Sequence, residues 1–191
     1  MQNTLAVHFV ERLSLPRTWL SKIALVLGAS LLIAASAQIA VPLPFSPVPI
    51  TGQTFAVLLI GFVLGARLGA WSVVLYLFEG ALGLPFFSGG GAGAGWLLGP
   101  TGGYLVGFLA AAFVVGYLAE RGFDRKPATM LLAFTVGQAV IYLFGCVWLS
   151  TFVGWPEAFT AGALPFLVGD VVKALLAAAA LPLAWSLVDR S

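Results

Sequence analysis

QTFAVLLIGFVLGARLGAWSVVLYLFEGALGLP, residues 53–85, decides how many times this chain crosses a membrane. As one helix it would run for roughly 50 Å at 1.5 Å per residue. That is too long for a hydrocarbon core about 30 Å thick, and it would place Arg67 near the middle. A charge at mid-bilayer costs on the order of 3 kcal/mol or more. Breaking the stretch at Gly65-Ala66-Arg67 gives two short helices in a hairpin and returns Arg67 to an interface. The hairpin is the preferred reading, with spans of about 53–65 and 68–84.

Working outward, the remaining apolar runs give spans of about 23–41, 101–119, 127–153 and 162–188. The expected architecture is an all-α integral membrane protein with six transmembrane helices in one membrane domain. Residues 1–18 read as a short cytoplasmic lead-in with no cleavable leader. Composition agrees: 61% of residues are hydrophobic and 8% are charged, against about 25% charged in soluble domains. PLPFSPVPITG (42–52) cannot be helical, because its prolines fix φ and remove donors. LPFFSGGGAGAGWLLGP (84–100) is a Gly-rich, uncharged loop, and GWPEA after span five reads as a turn.

Charge orients the bundle. Six spans place Arg12, Arg17, Lys22, Arg67, Arg121, Arg125, Lys126 and Arg190 on one side, and the opposite loops carry no Lys or Arg. By the positive-inside rule both termini are cytoplasmic, in a cytoplasmic membrane. The net charge of +2 supports no nucleic-acid partner. One Cys (Cys146) and one His (His8) cannot build a metal or haem site, so no cofactor is expected. No Walker A string is present for using ATP. No nucleophile–base set lies within the spans, so an enzyme is not expected.

Three ionisable residues stay inside the spans: Glu79, Asp170 and Lys173. Asp170 and Lys173 share a helix face at i, i+3. Counting residues puts Asp170 roughly 12 Å and Glu79 roughly 6 Å below the outer surface. Intramembrane charge is a functional-site hypothesis by default. The alternative is an ion pair that only pins span six, although desolvation opposes such pairs. Both unusual loops lie on the same side as these charges, and Gly/Pro-interrupted short helices point to binding sites. The expectation is a pocket in the outer leaflet roofed by loops 42–52 and 84–100. Phe45, Phe86, Phe87 and Trp96 are candidate walls, with Gln53 and Thr54 beneath the first loop. GPTGGY (99–104) could present free backbone N–H groups to an anion.

The stretch from Pro42 to Phe108 resembles BioY, the biotin-binding S component of energy-coupling factor (ECF) transporters. The motifs that carry the resemblance are VPITGQTFAVLL, YLxEGxxGLPxF, LLGPTGGYLxGF and a late Asp-x-x-Lys (Asp170, Lys173). It implies a six-helix vitamin-binding subunit that docks on a transmembrane coupling subunit driven by two ABC-type ATPases, or in some members works alone. It implies biotin as the ligand, with Asp170, Lys173 and Glu79 at the ureido head. Gln53, Tyr104 or the backbone from Gly99 through Thr101 to Gly102 would receive the tail, with Phe87 as a wall; the two ends could be exchanged, since Lys173 also suits a carboxylate. Small residues on span one, Ala24 and Gly28, are the candidate docking face, and internal packing is their other use. The rival reading is a self-sufficient secondary transporter or channel for biotin or another small solute.

Overall fold

The structure is a computed structural model, and it describes residues 4–5 and 18–189. Most of the lead-in, with Arg12 and Arg17, lies outside the described residues, as does Arg190. Helix α1 spans Trp19–Ala37, followed by strands β1 (Ala40–Leu43) and β2 (Ser46–Thr51). Then come α2 (Gln53–Ala81), the short α3 (Gly95–Leu98), α4 (Gly102–Ala119), α5 (Pro127–Val153), α6 (Trp155–Gly162) and α7 (Leu167–Asp189).

Helix α2 is doubled back on itself. Gly65 sits at φ 82°, ψ 177°, a backbone region essentially restricted to glycine. The Gln53 side-chain amide donates to the Tyr76 hydroxyl at 2.5 Å, whereas a straight helix would hold these residues roughly 35 Å apart. A Cβ on Gly69 would stand 3.0 Å from the Gly61 Cα, so the limbs meet backbone to backbone. The turn is closed from α4, where Glu120 Oε1 accepts from the Ala66 N–H at 2.8 Å. That carboxylate satisfies an orphan donor at the start of the second limb. Thr4 and Leu5 are buried here, and the Thr4 methyl lies against the Gly65 position.

Among the described residues five helical stretches are long and apolar enough to cross a membrane, with α6 and α7 counted together; the doubling of α2 makes six limbs. Lys22, Arg67, Glu120 and Arg121 gather around one end. The loops 42–52 and 84–100 lie at the other.

Four details differ from the sequence reading. Loop 42–52 belongs to an antiparallel ribbon, with Ala40 opposite Thr51 and Leu43 opposite Ser46. An all-α description missed it because prolines argue against a strand, yet a two-stranded ribbon has open edges that tolerate them. Span one, read as 23–41, ends at Ala37 because Ile39 onward pairs with the β2 end, Gly52 N–H donating to Ile39 C=O at 3.1 Å. GWPEA is not a plain turn: Gly154 at φ 84° ends α5, and α6 starts at once with Pro156 in its first turn, where a missing N–H costs nothing. Span six, read from 162, begins at Leu167 after a tight turn over Leu164–Phe166 that contains Pro165.

Candidate functional site

A concave, mostly apolar cavity opens at the loop end, the kind of place where small ligands bind. β2, the first limb of α2, α4, α5 and α7 wall it, with Phe87, Ser88 and Trp96 from loop 84–100.

Its polar side is one connected network. The Lys173 ammonium donates to Thr54 Oγ1 at 2.7 Å, to the Thr51 carbonyl at 3.2 Å and to Asp170 Oδ1 at 3.3 Å. Those three acceptors match the three protons of an ammonium. The other Asp170 oxygen accepts from the Tyr142 hydroxyl. A single side chain on α7 thus ties together β2, α2 and, through Asp170, α5. Asp170 is 7% exposed, and at that burial a charge must be paired and hydrogen-bonded to persist.

The apolar side is aromatic. Phe87 is buried against Tyr76 edge to face, with ring centroids 5.7 Å apart, and 6.3 Å from Trp96. A Cβ on Gly80 would collide with the Phe87 ring, so this glycine lets the ring reach the wall. Phe108, Ile141 and Phe166 complete the lining.

The structure brings Asp170, Lys173, Gln53, Thr101, Tyr104 and Phe87 onto the cavity. Glu79 and Gly99 are not among its lining residues. Glu79 is on the second limb, one helical turn from Tyr76. Its Oε2 is shut from solvent without a hydrogen-bond partner. The Gly99 carbonyl accepts from Trp148 Nε1 at 2.9 Å. Gly102 and Gly103 pack on Trp148, so the glycines at the start of α4 admit a large indole. Tyr104 contributes its ring, while its hydroxyl donates to the Gly162 carbonyl at 2.7 Å and anchors the end of α6. Among the proposed walls Trp96 lines the cavity, and Phe45, 64% exposed at the ribbon tip, does not. Tyr142 escaped the sequence reading, because a lone tyrosine in an apolar helix carries no signal until α7 is packed beside it.

A family model described as the BioY family matches residues 4–190. The chain belongs to the BioY family. A "Probable biotin transporter BioY" from Pyrococcus horikoshii is 45% identical over 146 residues, covering 76% of this chain and 85% of the relative. A "Biotin transporter BioY" from Rhizobium etli is 41% identical over 161 residues, covering 80% and 86%. The fold matches a solved structure described as the S-component for biotin from an ECF-type ABC transporter. There the TM-score is 0.76 at 27% identity, with 85% of this chain and 89% of that chain covered. As a BioY-family member with several apolar membrane-spanning helices, the protein is a multi-pass membrane protein.

Proposed function

We propose that this BioY-family chain takes up biotin across the cytoplasmic membrane as the substrate-binding S component of an ECF-type transporter. The observation that carries the reading is the Tyr142–Asp170–Lys173–Thr54 network facing an aromatic cavity. A neutral ion pair offers acceptors and donors together. The ureido head of biotin is neutral and presents two N–H donors and one carbonyl acceptor, so it complements the pair without adding charge. Asp170 accepts from the head, and the Lys173 ammonium exchanges one of its three protein acceptors for the head's carbonyl oxygen. Phe87, Trp96 and Phe108 flank the rings, and Gln53, Thr101 and Tyr104 lie on the tail side.

The cation-rich end faces the cytoplasm by the positive-inside rule, which puts the cavity in the outer leaflet and both termini inside. The docking face for the coupling subunit and its two ATPases is the open side of α1. Ala24 is exposed there, and Gly28 has nothing within 4 Å of a Cβ position, so another helix could approach closely.

The test is calorimetric titration of the purified chain with biotin beside thiamine and riboflavin. Saturable binding of biotin alone is expected, and its absence would sink the reading. Biotin flux in liposomes holding only this chain, abolished by collapsing an ion gradient, would favour the self-sufficient transporter instead.

A further inference from the structure

A second feature lies at the opposite end of the molecule from the biotin cavity. Lys22 of α1, Arg67 of the hairpin turn and Arg121 after α4 surround a depression at the cation-rich end. The one carboxylate among its lining residues, Glu120, is held by the Ala66 N–H. The Arg121 guanidinium lies 3.3 Å over the Tyr117 ring and donates to the Tyr117 carbonyl. Neither Lys22 nor Arg67 pairs with a carboxylate among the described residues. The mouth therefore carries an excess of positive charge on defined supports.

The depression does not end there. Lys22 and Leu68 also line an apolar furrow between α1 and the second limb of α2, walled by Ile23, Val26, Trp71, Leu75 and Phe78. From Trp71 to Phe78 the furrow runs roughly 10 Å along the second limb, away from the cationic mouth, at the helical rise. A cationic mouth at the interface leading into an apolar furrow along the bilayer normal has the amphipathic profile of a phospholipid. Basic pockets between membrane helices bind anionic head groups.

From the shared Lys22 and Leu68 we infer that this groove is a binding site for one anionic phospholipid. Its phosphate sits among Lys22, Arg67 and Arg121, and an acyl chain lies along Trp71 and Leu75. The protein's own residues 6–17 are a poorer occupant, since Arg12 and Arg17 outnumber Glu11 there and do not complement a cationic mouth. The small-residue face of α1, at Ala24 and Gly28, is separate from the furrow and stays free for a protein partner. The site is independent of the biotin reading.

The test uses the purified full-length chain in neutral detergent. Thermal unfolding is followed with added phosphatidylglycerol, phosphatidylcholine of the same acyl chains, or inorganic phosphate. Phosphatidylglycerol is expected to raise the midpoint at lower concentration than phosphatidylcholine, and high salt to weaken it. Lys22→Gln and Arg67→Gln should each weaken the apparent affinity about fivefold. Val74→Trp, which fills the furrow without changing charge, should weaken it too. Circular dichroism and gel filtration check that each variant folds, and the wild-type lipid comparison stands without them. An equal response to phosphatidylcholine would overturn the site, as would inorganic phosphate reproducing the full shift. Unchanged affinity in the Lys22→Gln/Arg67→Gln double variant would overturn it as well.

Discussion

Replacing Lys173 with Met separates the two jobs this side chain holds. The Lys173 and Asp170 side chains are 19% and 9% exposed, with Nζ and Oδ1 3.3 Å apart. Lys173→Met keeps much of the apolar stem but strands Asp170 Oδ1, leaving the Tyr142 hydroxyl on Oδ2 as the carboxylate's remaining partner. Breaking a buried pair by removing one partner costs about 3–5 kcal/mol. For a chain of this size 1 kcal/mol moves the midpoint by about 2–4 °C, so the loss is on the order of 10 °C. Asp170→Asn should cost less, because the ammonium keeps Thr51 and Thr54 as acceptors. The double variant carries no buried charge and should be more stable than Lys173→Met alone. Binding should behave differently. A hydrogen bond to a charged group contributes about 1.5–3 kcal/mol, so the biotin Kd should rise roughly 10- to 150-fold in Lys173→Met. The double variant should recover stability without recovering affinity. Thermal unfolding and biotin titration on the four proteins of this cycle read both effects. The reasoning fails if the double variant loses the sum of the two single losses. It fails equally if Lys173→Met binds biotin within about threefold of wild type.

Three further predictions concern the scaffold. Gly65→Ala forces a side chain into φ 82° and toward Glu120 and Thr4, so thermal unfolding should show a loss of about 1–3 kcal/mol; an unchanged midpoint would argue against the hairpin turn. Gln138 is 6% exposed on α5, with both amide atoms lacking partners, so Gln138→Leu should raise stability by about 1–3 kcal/mol, checked in the same assay. Asp124 is fully buried between α4 and α5, taking one bond from Trp185 Nε1 at 2.6 Å. Burial pushes its carboxyl above the ordinary value of 3.8, partly offset by the Trp185 bond and Arg125. The native state then holds the proton more tightly than the unfolded chain, so this contribution is fully present below 3.8 and is lost as pH rises through the folded value. Midpoints recorded from about pH 4 to pH 8 should fall less steeply for Asp124→Asn than for wild type; parallel slopes would contradict this.

The apolar runs, the misplaced Arg67 and the Gly at 65 were enough to read a hairpin, because bilayer thickness and charge burial are constraints on single segments. Asp170 and Lys173 stood out for the same reason: a charge in an apolar run is conspicuous without neighbours. What the sequence left open depends on rotation about helix axes and on pairing between distant segments. Glu79, as an intramembrane carboxylate, was a stronger pocket candidate than Gln53, and only packing brought Gln53 onto the cavity and left Glu79 off it. Thr51, Thr54 and Tyr142 became partners of the Asp170–Lys173 pair because β2, α2 and α5 meet α7, contacts spanning 28 to 122 residues of sequence. The prolines of 42–52 excluded a helix, but the ribbon they form is held by bonds across two strands. Local chemistry fixed which groups are costly to bury; tertiary structure chose which of them face the same space.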